Sequence, residues 1–460
     1  MRYDIWTIGC QMNKADSERV AVGLEALGLQ PALHTDQADV IVVNTCVVRG
    51  SAEEKVLGKL AALRGLKRAR PHAFVAVMGC LVPPDRQELA ARFPHVDLFF
   101  TVGEADRLMD AVQRRLASAP QYTCSDEPRS PNGVRPGSDA EYTLQGETVG
   151  VHGGQPAVTK YVPIIYGCNN FCTYCIVPFR RGRERSRPPE EVLAEVEHWA
   201  ARGVREVTLL GQNVDAYQGR SAGANDEEAV VDLAALLRRV HNVPGLLRIR
   251  FLTSHPRDMS DRLISTVAEL PKVCPAINLP VQAGDNAVLA AMHRGYTVEE
   301  YRQLVGRIRA AIPGVALSTD LIVGFPGESE AQFQNSLNLL AELRFDMVHV
   351  AAYSPRPGTR AALMADDVSL EEKGRRLQAV ESLQREIIAG INTGLLGADV
   401  EILVEGWHKG KWMGRTRTDK IVFFADDRQW LGEMVTVRVT KTGPWSLQGR
   451  LIGAAATAAA

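Results

Sequence analysis

At 460 residues, with 45% hydrophobic and 23% charged residues, the chain has the composition of an ordinary globular protein and room for roughly two to four domains. Its formal net charge of −1 gives no global field for a nucleic acid, so any basic surface must be local. The opening MRYDIW has no basic n-region or apolar h-region, and no apolar run reaches the ~18 residues of a membrane span, so a cytoplasmic protein with no membrane partner is expected.

The first part, residues 1–116, alternates apolar runs with helical patterns. YDIWTIG, DVIVVNT, AFVAVMG and VDLFFTV each have the unbroken apolar character of a buried parallel strand, and segments such as SERVAVGLEALG carry helical spacing between them. Four βα units in a row imply an open, doubly wound sheet. Residues 117–157 hold Pro120, Pro128, Pro131, Pro136 and Pro156 with many Gly and Ser and no sustained period, as expected of a linker. From 158 to 392 six further strand candidates follow: KYVPIIY, EVTLLGQN, LRIRFLTS, AINLPVQ, ALSTDLIVGF and MVHVAAYS. In PPEEVLAEVEHWAARG between the first two, Val192, Val196 and Trp199 share a helix face, with Pro189 near the start and Gly203 past the end. Six βα units predict a partial (β/α)6 barrel with its site at the carboxyl ends of the strands. QGRSAGANDEEA interrupts it as a polar loop. Residues 393–453 change to short strands joined by Gly and Asp turns, which predicts a small all-β barrel, and 454–460 is a low-complexity tail.

In a reducing compartment the eight cysteines are better suited to metal, catalysis or burial than to disulfides. Cys168, Cys172 and Cys175 form Cys-x3-Cys-x2-Cys just after the first strand of the expected barrel. Structural zinc usually draws on two such hairpins, and no second pair lies nearby, whereas an iron–sulfur cubane on three thiolates keeps one iron open to a ligand. Zinc, or three inert thiols, are the competing explanations. Cys10, Cys46 and Cys80 each directly follow an apolar strand, in YDIWTIGC, DVIVVNTC and AFVAVMGC. One such cysteine alone would be a small buried residue, but three successive βα units placing thiols at the same sheet edge can build a second three-thiolate site. Cys124 and Cys274 have no partner pattern and receive no role.

The first triad, followed by PFRRGR and set on six βα units, resembles the radical S-adenosylmethionine superfamily. With both triads in view the chain resembles the methylthiotransferases of that superfamily, across nearly all of its length outside the linker and tail. The resemblance rests on GCQMNKADSE, NTCVVRGSAEEK, VMGC, GCNNFCTYCIVPFRRGRERSR, LLGQNVDAY, RFLTSHPRD, NLPVQAGD, STDLIVGFPGE and YSPRPGT. GCQMN, NTC-x-VR and VPFRRGRE are similar to the bacterial branch acting on isopentenylated tRNA. Val47, Gly50 and Asn278 depart from the commoner family pattern.

The resemblance implies an N-terminal methylthiotransferase domain, a radical S-adenosylmethionine barrel and a C-terminal TRAM domain. It implies two 4Fe-4S clusters, one auxiliary on Cys10, Cys46 and Cys80, the other on Cys168, Cys172 and Cys175 with S-adenosyl-L-methionine on its open iron. The resemblance further implies that one molecule of S-adenosylmethionine would methylate a sulfur at the auxiliary cluster, and that a second would yield the 5′-deoxyadenosyl radical to remove hydrogen from C2 of N6-isopentenyl-adenosine, where the methylthio group would be joined. Cofactor contacts are expected from Tyr174, from Gly211, Gln212 and Asn213 at a strand end, and from Gly324 and Gly327 in LIVGFPGE, each of which could instead be a packed strand end or turn. No general acid or base is assigned.

The run Arg180, Arg181, Arg183, Arg185, Arg187 beside the open cluster suits phosphate, although charge runs are usually solvated faces. In WHKGKWMGRTR, Trp407 and Trp412 interleave with Lys409, Lys411, Arg415 and Arg417, a mixture of stacking surface and cation that suits an RNA loop. The expected partners are therefore the anticodon arm of tRNA, an electron-donor protein and a sulfur or cluster carrier, with the enzyme itself a monomer. Two other substrates fit the same chemistry, threonylcarbamoyl-adenosine in tRNA and a ribosomal-protein aspartate. A non-catalytic iron–sulfur RNA-binding protein is the alternative of another class.

Overall fold

The computed structural model describes residues 1–46, 50–83, 85–118, 147–148, 157–221 and 230–454. Most of the expected linker and tail, Val47, Cys124 and residues 222–229 of the polar loop lie outside them. The chain forms two compact units, Met1–Gly154 and Gln155–Ala460.

In the first unit β1 (Arg2–Thr7), α1 (Gln11–Ala26), β2 (Gln30–Pro31), β3 (Val40–Thr45), α2 (Gly50–Ala69), β4 (Phe74–Gly79), α3 (Gln87–Arg92), β5 (Leu98–Phe100) and α4 (Ala105–Ser118) follow one another. The strands pair in parallel in the order β2-β1-β3-β4-β5. Every residue of β3 and β4 is buried, which accounts for their unbroken apolar sequences. Alternate residues feed two cores. Ile41, Val43, Val75 and Val77 pack with Val56, Leu60 and Leu63 of α2, while Val40, Val42, Ala76 and Met78 pack with Leu24 of α1 and Leu108 of α4. Inside the span expected to be a linker, β6 (Glu147–Thr148) pairs antiparallel with β1, a contact too short to leave a period in the sequence.

The second unit begins with β7 (Thr159–Pro163), β8 (Ile165–Tyr166), α5 (Val177–Arg181), β9 (Arg185–Ser186), α6 (Pro189–Ala201), β10 (Glu206–Leu210), β11 (Gln218–Arg220), β12 (Val230–Asp232), α7 (Leu233–His241), β13 (Arg248–Leu252) and α8 (Asp261–Glu269). It continues through β14 (Ala276–Asn278), α9 (Asn286–Ala291), α10 (Val298–Ala311), β15 (Ala316–Val323), α11 (Glu330–Leu343), β16 (Met347–Ala352) and α12 (Leu370–Thr393). β7, β10 and β13 form one parallel sheet and β14, β15 and β16 another. A parallel bridge from Ile249 to Val273 joins the two, and a single apolar core runs through all six strands. This is the expected partial barrel. Helix starts are fixed by side chains: Asp232, Ser260, Asp285, Thr297, Ser329 and Ser369 each accept a backbone N–H in the first turn that follows.

β17 (Asp399–His408), β18 (Lys411–Thr416), β19 (Ile421–Phe424), β20 (Met434–Thr442) and β21 (Leu447–Ala454) close a five-stranded barrel around Ile402, Val404, Trp412, Val422, Phe424, Val435 and Val437. The turn after β18 docks under the larger barrel. Arg248 and Arg250 alternate with the core residues Ile249 and Phe251 along β13, so their guanidinium groups leave the apolar layer together. Arg250 bonds Glu206 at 3.0 Å and the carbonyls of Thr416 at 2.8 Å and Arg417 at 3.1 Å. Arg248 reaches the carbonyls of Arg415 and Glu401. In return Arg417 donates to the carbonyls of Pro271 and Val273, and Lys420 pairs with Asp346 at 2.8 Å.

Candidate metal and cofactor centres

Cys10, Cys46 and Cys80 follow β1, β3 and β4, three adjacent strands of one parallel sheet. Cys10 is the N-cap of α1 and is exposed, while Cys46 and Cys80 are buried. The loops are laced together behind the thiols. Asn13 donates to Asn44 Oδ1 and to the Thr45 carbonyl, both at 2.9 Å, and Asn44 returns bonds to the Asn13 carbonyl and Ser17 Oγ, both at 2.8 Å. The Cys80 amide donates to the Thr45 carbonyl at 3.0 Å. Gly79 has φ +98°, and a Cβ there would lie 2.4 Å from the Thr45 carbonyl oxygen, so only glycine lets these two loops meet.

The second triad lies between β8 and α5. Gly167, at φ +74°, could carry no Cβ, because one would fall 2.2 Å from the Arg183 carbonyl. Its amide donates to Gln212 Oε1 at 2.8 Å, and the Cys168 amide donates to the Gly182 carbonyl at 3.3 Å. Thr173 is tied to the Met292 carbonyl at 3.0 Å and the Ala291 carbonyl at 2.8 Å, and Arg257 holds Asn170 at 2.9 Å. Cys168 and Cys172 are buried and Cys175 partly so. Burial pushes the Cys175 thiol up to about 12 and moves Cys168 the same way. Arg294 reaches the same loop, donating to Cys172 Sγ at 3.3 Å.

Among the described residues no three His, Cys, Asp or Glu side chains already share the close spacing of a single-ion cage. A cubane does not ask for that, since its thiolates bind separate irons. Two sets of three thiols on loops pinned by backbone and amide hydrogen bonds suit such a group better than tetrahedral zinc, which would want a fourth donor in reach.

Of the expected cofactor residues, Gly211, Gln212 and Asn213 do follow β10. Gln212 is already engaged with Gly167, and Asn213, 2% exposed, donates to Asp258 at 2.6 Å. Gly211 packs against Ile165, Gly324 against Lys373, and the Gly327 amide bonds Asp367 at 2.7 Å. Tyr174 is packed against the barrel core, and its phenol is pushed well up by burial. Beside them stand groups that the sequence did not single out. Ser254 donates to Asp215 at 2.9 Å, and burial raises the Asp215 carboxyl to about 7. His255, 4% exposed, is driven down to about 2 by burial and by Arg294 and Arg257, so its ring is neutral. SHPRD follows the strand β13, and that strand-end position was the available signal, whereas MHRGY follows the helix α9.

The basic residues divide. Arg183 lies over Phe171 at 4.4 Å and Arg185 over Tyr166 at 5.9 Å, both exposed, whereas Arg187 is held by the Pro163 carbonyl and Glu195, each at 2.7 Å. In the small barrel Trp407 is 55% exposed and meets Trp412 edge-on at 4.9 Å between centroids. Trp412 is 7% exposed, part of the barrel core, with its indole N–H on the Asp426 and Arg428 carbonyls. Arg415 bonds Glu405 at 3.2 Å and Asp419 at 3.0 Å. Trp412, Arg415 and Arg417 are therefore engaged inside the protein, because strand alternation and the docking turn claim them. Trp407, Lys409 and Lys411 keep the outer positions, with Lys411 bonded to Gln448 at 3.0 Å.

A partial barrel with a three-cysteine loop after its first strand defines the radical S-adenosylmethionine class. The Radical SAM superfamily model matches residues 162–340, the family described as "Uncharacterized protein family UPF0004" matches 2–101, and the TRAM domain matches 395–452. A solved radical S-adenosylmethionine methyltransferase, TsrM from Kitasatospora setae, shares the fold with TM-score 0.54 at 14% identity, over 90% of this chain and 77% of that one. Curated relatives named tRNA-2-methylthio-N(6)-dimethylallyladenosine synthase align over the whole length. The one from Roseiflexus sp. (strain RS-1) is 48% identical over 98% of this chain and 89% of its own, and the one from Herpetosiphon aurantiacus is 47% identical over 98% of both. The chain belongs to the tRNA-2-methylthio-N(6)-dimethylallyladenosine synthase family.

Proposed function

We propose that this protein attaches a methylthio group to C2 of N6-isopentenyl-adenosine beside the anticodon of tRNA, giving 2-methylthio-N6-isopentenyladenosine. The observation that carries this is the pair of three-cysteine sets, each at the carboxyl ends of parallel strands, in a chain whose full-length relatives bear that synthase name. On this reading residues 1–116 hold an auxiliary 4Fe-4S cluster on Cys10, Cys46 and Cys80. Residues 158–392 hold the second cluster on Cys168, Cys172 and Cys175 together with S-adenosylmethionine, and residues 393–453 contribute to RNA binding. When bound, the clusters and S-adenosylmethionine supply the one-electron chemistry and the methylthio group.

The chain's own residues bind and position. Gly167, Gln212, Asn170 and Arg257 fix the cysteine loop, and Tyr174 with Gly211, Asn213, Gly324 and Gly327 line the expected S-adenosylmethionine side. Arg183 and Arg185 offer cations at the same mouth, and Trp407, Lys409 and Lys411 offer a stacking ring and two ammonium groups to the anticodon arm. An electron-donor protein and a sulfur or cluster carrier serve the reaction, and a cytoplasmic monomer is the working form. No helix among the described residues is long and apolar enough to cross a membrane.

Anaerobic reconstitution should load about eight irons per chain, and Cys10→Ala about four. That variant should still cleave S-adenosylmethionine while losing methylthiolation. Lost cleavage would reverse the assignment of the two triads. About four irons on the parent would favour a single-cluster RNA-binding protein.

A further inference from the structure

Arg294 is 5% exposed, and its guanidinium partners are unusual for a buried cation. Its nitrogens donate to Cys172 Sγ at 3.3 Å, to the Pro280 carbonyl at 3.1 Å and to Tyr296 Oη at 3.0 Å. None of these carries a formal charge as a neutral thiol, carbonyl and phenol, and burial keeps the Tyr296 phenol protonated. Among the described residues no carboxylate lies within ion-pair distance of Arg294, although Arg248, Arg250 and Arg376, also buried, each have one. A buried cation without an anion is strongly destabilising, so this position calls for negative charge at the one partner able to carry it.

The placement is fixed from two sides. Tyr296 also donates to the Val281 carbonyl at 2.8 Å, and its ring lies 5.3 Å beneath the guanidinium. The peptide segment just before Arg294 holds the cysteine loop itself, through the Met292 and Ala291 carbonyls to Thr173. The guanidinium and the thiol are thus registered by the same segment, although 122 residues separate them.

We infer that Arg294 is a positioning residue for electron transfer: its buried guanidinium is the counter-charge of the cluster on Cys168, Cys172 and Cys175, and its N–H···S bond to Cys172 makes that cluster easier to reduce. The inference rests on the proposed assignment of that triad. Reduction adds one electron, and so one negative charge, to a group already made anionic by its thiolates. A fixed cation and a hydrogen bond at a ligand sulfur stabilise the reduced state more than the oxidised one, which raises the midpoint potential. Conversely, removing the cation shifts the midpoint to more negative values and slows reduction by any given donor.

The test is a dithionite-poised redox titration followed by electron paramagnetic resonance. It uses the full chain with Cys10, Cys46 and Cys80 all changed to Ala, so that one cluster is observed. Arg294→Gln should lower the midpoint, Arg294→Lys should restore most of it, and Tyr296→Phe should give a smaller decrease by loosening the guanidinium. An unchanged midpoint in Arg294→Gln with its cluster intact would overturn the inference. If Arg294→Gln loses its iron and Arg294→Lys keeps it, the counter-charge role stands; loss from both would show a packing role and overturn it. A parent that binds no iron at this triad would overturn the cluster assignment instead, a separate result read before any Arg294 variant is made.

Discussion

The Gly167 amide and the Gln212 side-chain oxygen, 45 positions apart, are joined by a 2.8 Å hydrogen bond that fastens the cysteine loop to the end of β10. Gln212→Ala removes the acceptor and leaves the amide to find another, a loss of ~1 kcal/mol in holding the loop. The expected outcome is lower iron occupancy at Cys168, Cys172 and Cys175, with the other triad unaffected. Iron counts on the parent, on Gln212→Ala and on Gln212→Ala combined with Cys10→Ala check this. Equal loading of parent and variant would show that the bond does not organise the loop.

The two tryptophans of the small barrel should respond in opposite ways. Trp412→Ala empties part of a packed core and should lower stability by ~3–5 kcal/mol. Trp407→Ala, at a position 55% exposed, should leave the thermal midpoint nearly unchanged and weaken tRNA binding severalfold, as loss of one stacking surface does. Thermal denaturation and tRNA filter binding of both variants separate the roles. Unaltered tRNA affinity in Trp407→Ala would remove this residue from the RNA surface.

Arg250 and Glu206 form a buried pair with side chains 8% and 4% exposed, and Arg250 also holds the turn after β18 through two carbonyls. Arg250→Met strands the carboxylate and should destabilise the second unit by ~3–5 kcal/mol. Combining it with Glu206→Leu should recover part of the loss, because the stranded charge is gone while the two carbonyls still lack their donor. Limited proteolysis should release the small barrel from Arg250→Met faster than from the parent. Equal cleavage rates would mean that the docking does not depend on Arg250. For the same reason, deleting the chain from Leu396 onward would expose Arg248, Arg250 and Glu206, so point variants at Trp407 and Lys409 are the cleaner probes of RNA binding.

The six-strand barrel and the strand-end cysteines were legible because both leave local marks: buried parallel strands make unbroken apolar runs, and Cys10, Cys46 and Cys80 end three of them. The contact of β6 with β1 involves two residues, too few to carry a pattern. Trp407 and Trp412 could not be told apart by composition. They are paired across β17 and β18 next to an irregularity at Val404–Gly406, and their rings meet edge-on. Arg294 drew no notice in the sequence because its partner Cys172 lies 122 residues away. Arg415 and Arg417 read as surface cations because a sequence does not disclose that a turn will dock.

Asp215 adds a pH dependence. Burial raises its carboxyl from 3.8 to about 7, with Asp258 raising it further and the Ser254 bond opposing. Between about pH 4 and 7 the native state holds this proton more tightly than the unfolded chain, so the contribution of Asp215 to stability falls as pH rises and is fully lost above about 7. His255 acts in the opposite sense: its lowered value means that the unfolded chain gains the proton at acid pH, so its term rises with pH. Comparing Asp215→Asn with the parent cancels that term. Urea midpoints at about pH 5 and about pH 8 should show the variant gaining on the parent at the higher pH. Parallel curves would contradict the burial assigned to this carboxyl.

Two-cluster methylthiolation by this chain is decided by nucleoside mass spectrometry. The reconstituted protein is incubated with isopentenylated tRNA, S-adenosylmethionine and a reductant in the absence of oxygen. The expected product is 2-methylthio-N6-isopentenyladenosine, formed by the parent and by neither Cys10→Ala nor Cys172→Ala. Product only on threonylcarbamoyl-adenosine or on a ribosomal-protein aspartate, or no product with about eight irons bound, would contradict it.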